Sequence, residues 1–150
     1  MEAVIFIGVQ ASGKSTFYCR RFYRTHVRIN LDMLKTRRRE EILVAACLEA
    51  KQSFVVDNTN TLKIERAKYI TLAQQHKFKV RGYYFQSKLD EVIERNVQRP
   101  DGERIPSAGI RRMYSRLQLP DYGEGFDELF SVRIGDNGDF VVESWQDNIV

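Results

Sequence analysis

Nine residues near the start constrain this chain more than any others: GVQASGKST, Gly8 through Thr16, placed directly after the apolar run AVIFI, Ala3 through Ile7. Gly8, Gly13, Lys14 and Ser15 satisfy GxxxxGK[ST] without a mismatch, and the uninterrupted run before them reads as a buried parallel strand. The spacing has a physical purpose. Four residues between the glycines let the backbone curl so that successive N–H groups turn toward one anion. Gln10, Ala11, Ser12 and Thr16 belong to that cradle. Gly13 lets the backbone come close, where a side chain would stand in the way. Lys14 can reach the β- and γ-phosphates of a nucleotide, and the Ser15 hydroxyl can ligate Mg2+. The helix that starts here adds the positive end of its dipole.

The rest of the chain alternates in the way such a start requires. A helix is expected from Lys14, with Phe17, Phe22 and either Cys19 or Arg20 inward, then a short strand at Val27–Asn30. RRREEILVAACLEAKQ (Arg37–Gln52) reads as helix, SFVVD (Ser53–Asp57) as strand. Thr61–His76 forms an amphipathic helix with Leu62, Ile64 or Ala67, Ile70 and Ala73 inward. Lys79–Phe85 is a fourth strand, followed by a helix that Ser87 can cap. A loop bracketed by Pro100 and Pro106 leads to a helix from Ser107. Two strands around Asp136-Asn137-Gly138 close the chain as a hairpin. The fold class predicted is α/β: a single domain over residues 1–150, with a mainly parallel sheet flanked by helices and a helical lid near residues 95–118.

Composition narrows the chemistry. With 24 Lys+Arg against 20 Asp+Glu the net charge is +4, which permits a polyanionic partner without requiring one. Cys19 and Cys47 have no metal-ligand spacing and read as small buried residues in a reducing compartment. No apolar run approaches membrane-spanning length and no leader pattern opens the chain, so a soluble cytoplasmic protein is expected. A phosphate loop serves GTPase switches, ATPase motors and kinases alike. No NKxD base-reading stretch is present, and 150 residues leave little room for a motor's sensor subdomains. Phosphoryl transfer is what remains.

Asp32, in INLDMLK, follows the second strand and should face the same crevice as the loop. Its carboxylate can take the proton of an attacking hydroxyl, or it can serve only as a helix N-cap. Lys35 is one helical turn on and suits an acceptor phosphate. KTRRR (Lys35–Arg39) places cations at a helix start, against the dipole, which makes Lys35 and Arg38 candidate contacts to a nucleic-acid backbone. Asp57 ends the third strand, where a carboxylate can hold Mg2+ through water. The DNTN stretch it opens also suits a turn and cap. Arg95, Arg99 and Arg104 flank the proline-bracketed loop, and arginines on a lid can close over phosphates. A solvated face accounts for Arg95 and Arg104 as well.

Together, IFIGVQASGKST, INLDMLK, VVDNTN and VIERNVQRPDGERIP…IRRMYSRLQLP resemble the polynucleotide 5′-kinases, the kinase module of DNA- and RNA-repair enzymes that heal ends. The resemblance covers nearly the whole chain. It implies an ATP- and Mg2+-dependent kinase acting on the 5′-hydroxyl end of a nucleic acid. In that scheme Lys14 contacts the donor phosphates and Ser15 the metal. Asp32 activates the hydroxyl, Lys35 binds the acceptor phosphate, Thr59 touches the acceptor strand, and Arg95 and Arg99 are the lid arginines. Phage-type members carry Arg where Lys35 stands, and no DxDxT phosphatase element is present. Two other readings stand beside this one: a kinase for a small metabolite, nucleoside or nucleotide sugar, and a nucleotide-binding module that controls a partner.

Overall fold

The computed structural model describes residues 1–146. Strand β1 (Glu2–Ile7) leads into helix α1 (Lys14–Arg21), and β2 (Val27–Ile29) into α2 (Leu31–Leu34) and α3 (Arg37–Ala50). Then come β3 (Phe54–Val56), α4 (Lys63–Gln75), β4 (Lys79–Phe85), α5 (Leu89–Val97), α6 (Ser107–Arg116), β5 (Glu128–Ile134) and β6 (Phe140–Ser144). The six strands form one sheet in the order β2-β3-β1-β4-β5-β6, parallel except for β6, which returns antiparallel along β5.

After Glu2, β1 is apolar and fully buried from Ala3 to Ile7 because both of its faces are covered. Ala3, Ile5 and Ile7 pack beneath α3 and α4 with Ile29, Leu48, Ile70 and Ala73. Val4 and Phe6 point the other way, into an aromatic cluster with Phe17 of α1, Phe22 just after it, and Tyr83 and Phe85 from β4. The Phe6 and Phe85 rings meet edge to face with centroids 5.0 Å apart, a favoured aromatic geometry. A third, smaller cluster joins Val92 of α5 and Ile110 of α6 to Val9 of the phosphate loop. Between those helices Asn96 is buried and pins the proline-bracketed loop, its Nδ2 donating to Ile105 O at 2.6 Å and its Oδ1 accepting from Ile105 N at 3.0 Å.

The structure departs from the expected element faces at four places. On α1 the inner face is Lys14, Phe17 and Tyr18, so Cys19 is exposed rather than buried, while Cys47 is buried. On α4, Ile64 is 78% exposed and Ala67 faces solvent, because the inner position between them belongs to Arg66. That guanidinium is fully buried and donates to Glu124 at 2.8 and 3.1 Å and to Asn60 O at 2.8 Å. A paired internal charge leaves no mark in a hydrophobic pattern. α5 starts after Lys88 without a side-chain cap, so Ser87 does not serve as one; its carbonyl accepts from Tyr114 instead. The run expected as one helical turn and a helix is broken at Lys35, whose φ is +74°. Among the described residues no helix is long and apolar enough to cross a membrane.

Candidate active site

β1 sits between β3 and β4, and the chain leaves it first toward β2 and β3, then toward β4. Such a reversal opens a crevice beyond the carboxyl ends of the strands, and a cleft of about 500 Å3 lies there.

The loop after β1 forms one wall. Gly13 has φ +100° and is the N-cap of α1, a backbone state that glycine alone adopts without strain. A Cβ on Gly8 would come within 2.9 Å of Phe85 Cβ, so the first glycine is required by packing against β4. Gly8 N also donates to Thr59 O at 2.9 Å, which ties the loop to the segment after β3. Lys14 is folded along its own loop, its Nζ donating to Gly8 O at 2.9 Å and Val9 O at 2.7 Å. Burial, opposed by the Asp57 and Asp32 charges and aided by that of Arg99, lowers its pKa to about 8.

Below the loop, Ser15 Oγ donates to Asp57 Oδ2 at 3.2 Å, and Arg28 Nε donates to the same oxygen at 2.8 Å. Burial raises the Asp57 pKa, and the Arg28 guanidinium is the strongest of the groups that pull it back. The segment that follows is held by its own amides. Asn60 Nδ2 reaches Phe6 O at 2.9 Å, and Asn58 Oδ1 accepts from Leu31 N at 2.8 Å.

The opposite wall comes from β2 and α2. The capping role considered for Asp32 falls to Asn30, whose Oδ1 accepts from Met33 N at 2.9 Å. Asp32 stands one position inside that helix, exposed and lining the cleft. Lys35 ends the turn with its left-handed backbone and, like Arg38, does not line the cleft; Arg37 does. Thr36 caps α3 by accepting from Arg39 N at 3.2 Å. Arg37 is tethered from behind by Glu40, with Nη1 at 3.2 and 3.3 Å from its carboxylate oxygens. Glu40 is nearly fully buried and also accepts from Tyr69 OH and, at 3.0 Å, from Asn58 Nδ2. Burial would raise its pKa, but those hydrogen bonds and the Arg37 and Lys68 charges hold it below the usual carboxylate range.

Arg95 and Arg99 complete the rim from α5 and the loop after it. Arg95 Nε donates to Ala11 O at 2.9 Å, while its Nη2 is buried without a partner among the described residues. Arg104 instead pairs with Asp101 at 3.0 Å and donates to Arg99 O. On the far side of the loop, Ile134, Gly138 and Phe140 of the closing hairpin also line the cleft, with the Arg20 guanidinium carbon 5.3 Å from the Phe140 ring centroid.

Gln10, Ala11, Gly13, Lys14, Ser15, Thr16, Asp32, Asp57, Thr59, Arg95 and Arg99 thus line one cleft, and Gly8 and Ser12 are buried beneath it. The positions of Arg28, Arg37 and Glu40 about the site, and the hairpin's place at the cleft, were not evident from the sequence. Arg37, the cation of KTRRR that lines the cleft, lies just past the break at Lys35. The cleft holds hard oxygen donors with Ser15 and Asp57, and no group of three or more metal-ligating side chains occurs among the described residues. That donor set suits a cation which keeps waters and phosphate oxygens as its other ligands.

Comparison with known proteins places this geometry. The family described as an AAA domain (AAA_33) matches residues 4–120. The chain is 30% identical over 135 residues to the bifunctional polynucleotide phosphatase/kinase of Schizosaccharomyces pombe, a match covering 87% of this chain and 33% of that protein. It is 30% identical over 78 residues to the L-seryl-tRNA(Sec) kinase of Methanococcus maripaludis, covering 52% of this chain and 30% of that one. The chain therefore spans about a third of the length of these curated relatives. In fold it is similar to a gluconokinase from Sinorhizobium meliloti, with TM-score 0.65, 18% identity, and 90% of this chain and 83% of the other covered.

Proposed function

Because the chain belongs to that AAA-domain family, with P-loop kinases as its structural neighbours, we propose that it is an ATP-dependent kinase that transfers the γ-phosphoryl group to the 5′-hydroxyl end of DNA or RNA. The observation that carries the reading is that Asp32 lines the same cleft as the phosphate loop, free of the capping duty that Asn30 performs. The name of the fission-yeast relative supports a polynucleotide acceptor.

The acceptor hydroxyl gives its proton to the Asp32 carboxylate as its oxygen bonds to the γ-phosphorus of ATP. The bond from that phosphorus to the bridging oxygen breaks, and ADP leaves with the electron pair. Lys14, released from the loop carbonyls, and the backbone N–H groups of the loop offset the charge on the β- and γ-oxygens. Arg95 and Arg99 bring cations from the other side, and the unpartnered Arg95 Nη2 has a donor to offer. Arg37, held by Glu40, receives an acceptor phosphate. Ser15, and Asp57 through water, would hold Mg2+, which would supply neutralisation of the phosphate charge.

A second reading, a kinase for a small hydroxylated acceptor, gains support from the position of Lys35 and Arg38 outside the cleft lining, which leaves Arg37 as the cation on the acceptor wall. One experiment separates the two. Incubation with γ-labelled ATP against 5′-hydroxyl oligonucleotides, nucleosides and sugars should label the oligonucleotides; label on a sugar or nucleoside alone would select the second reading.

A further inference from the structure

β2 sets one side chain against two lining residues of this cleft without lining it itself, and neither the phosphate loop nor the acceptor turn requires it. Arg28 Nε donates to Asp57 Oδ2 at 2.8 Å, and Arg28 Nη2 donates to Ser15 Oγ at 2.9 Å. Ser15 Oγ in turn donates to the same Asp57 oxygen at 3.2 Å, so the three groups close a triangle. The Asp57 side chain is 1% exposed and that of Arg28 27%. The guanidinium carbon lies 5.9 Å from the centroid of the Tyr18 ring, which gives the planar cation a surface to lie along.

Ser15 and Asp57 are the two groups assigned above to the divalent cation. A guanidinium satisfies both of them here. It also sets a like charge close to any ion that would bind them.

We propose that Arg28 is a built-in competitor for the divalent cation and makes cation binding conditional on the nucleotide. The proposal rests on the kinase reading. Without phosphates, a divalent ion gains from the protein only one hydroxyl and one carboxylate, both engaged by Arg28. Mg2+ sheds water reluctantly and relies on phosphate oxygens for much of its shell. When a nucleotide enters, its phosphates bring several negative charges to the same point, and the balance turns: the cation arrives with them and Arg28 gives up Ser15. The residue acts by positioning charge and touches no reacting atom.

The test uses Mn2+ as a spin-visible probe, titrated into the full chain with and without ADP. The wild-type protein is expected to bind free Mn2+ weakly and Mn2+ with ADP tightly. Arg28→Gln should tighten free Mn2+ binding roughly tenfold or more, as expected for removal of a like charge at contact range. Arg28→Lys, whose point charge cannot span both oxygens, should fall between. Asp57→Asn in the glutamine background should cancel the gain. Guanidinium ion at millimolar concentration, added to Arg28→Ala, should restore the dependence on ADP. Melting curves report whether each variant folds, and the lysine variant carries the test if the glutamine variant does not. A folded variant with unchanged free Mn2+ affinity, beside wild-type protein that binds Mn2+ with ADP, leaves Arg28 a structural partner of Asp57 and overturns the proposal alone. Wild-type protein that fails to bind Mn2+ even with ADP overturns the kinase reading, and the proposal with it.

Discussion

With its ammonium buried against the carbonyls of Gly8 and Val9, Lys14 titrates near pH 8. Phosphate binds the protonated form, so affinity and protonation are linked. Below pH 8 the charge is in place and nucleotide affinity should be flat. Above it the protein must take up a proton to bind, and the Kd for ATP should rise by up to about tenfold per pH unit. Calorimetry from pH 7 to 9.5 in buffers of different ionisation enthalpy measures both the loss and the proton. Asp32 tests the other side of the cleft: Asp32→Ala should abolish transfer while ATP binding survives, because the cap of its helix is Asn30. Arg37 and Lys35 form a paired comparison. Arg37→Ala should raise the KM for a 5′-hydroxyl oligonucleotide severalfold with kcat little changed, the mark of a ground-state contact. Lys35→Ala should change it less, since only Arg37 lines the cleft.

Glu40 links elements rather than atoms of substrate. It reaches the acceptor wall by two routes, directly through Arg37 and, through Asn58, to the backbone of Leu31 beside Asp32. Its pKa lies below the usual carboxylate range, so it adds stability at neutral pH that is lost as pH falls through that range. Glu40→Gln keeps the volume but turns an amide toward donors. It should cost about 1–3 kcal/mol in urea melts and lower kcat as well, by loosening the turn that carries Asp32. A kcat that stays at the wild-type level in a destabilised variant would make the network purely structural. These elements also show what the sequence discloses. β1, the loop and α1 were legible because a hydrophobic run, a glycine spacing and a lysine each report one local constraint. The face of α4 was not, since Arg66 is buried through a partner 58 residues away. The place of Arg37 at the cleft was hidden too: it follows a Lys35 with φ +74°, a state uncommon for any residue with a side chain.

Across the whole molecule, the mainly parallel sheet with its flanking helices was legible from the alternation of strands and helices, whereas the order of its strands and the contribution of the closing hairpin to the cleft were not. Phe140 and Ile134 read as ordinary strand residues, and only the antiparallel return of β6 along β5 brings them to the phosphate loop. The charge distribution carries one further expectation. The net +4 is modest and one acceptor-wall cation lines the cleft, so oligonucleotide KM should rise with salt at a shallow log–log slope, about one to two. A slope near zero would point to an uncharged acceptor. Finally, the sheet ends on one side in β2, only three residues long. That margin offers a passing strand almost no ladder to extend. The flank is thus a poor template for other copies of the chain, and its brevity guards the sheet against edge-to-edge stacking.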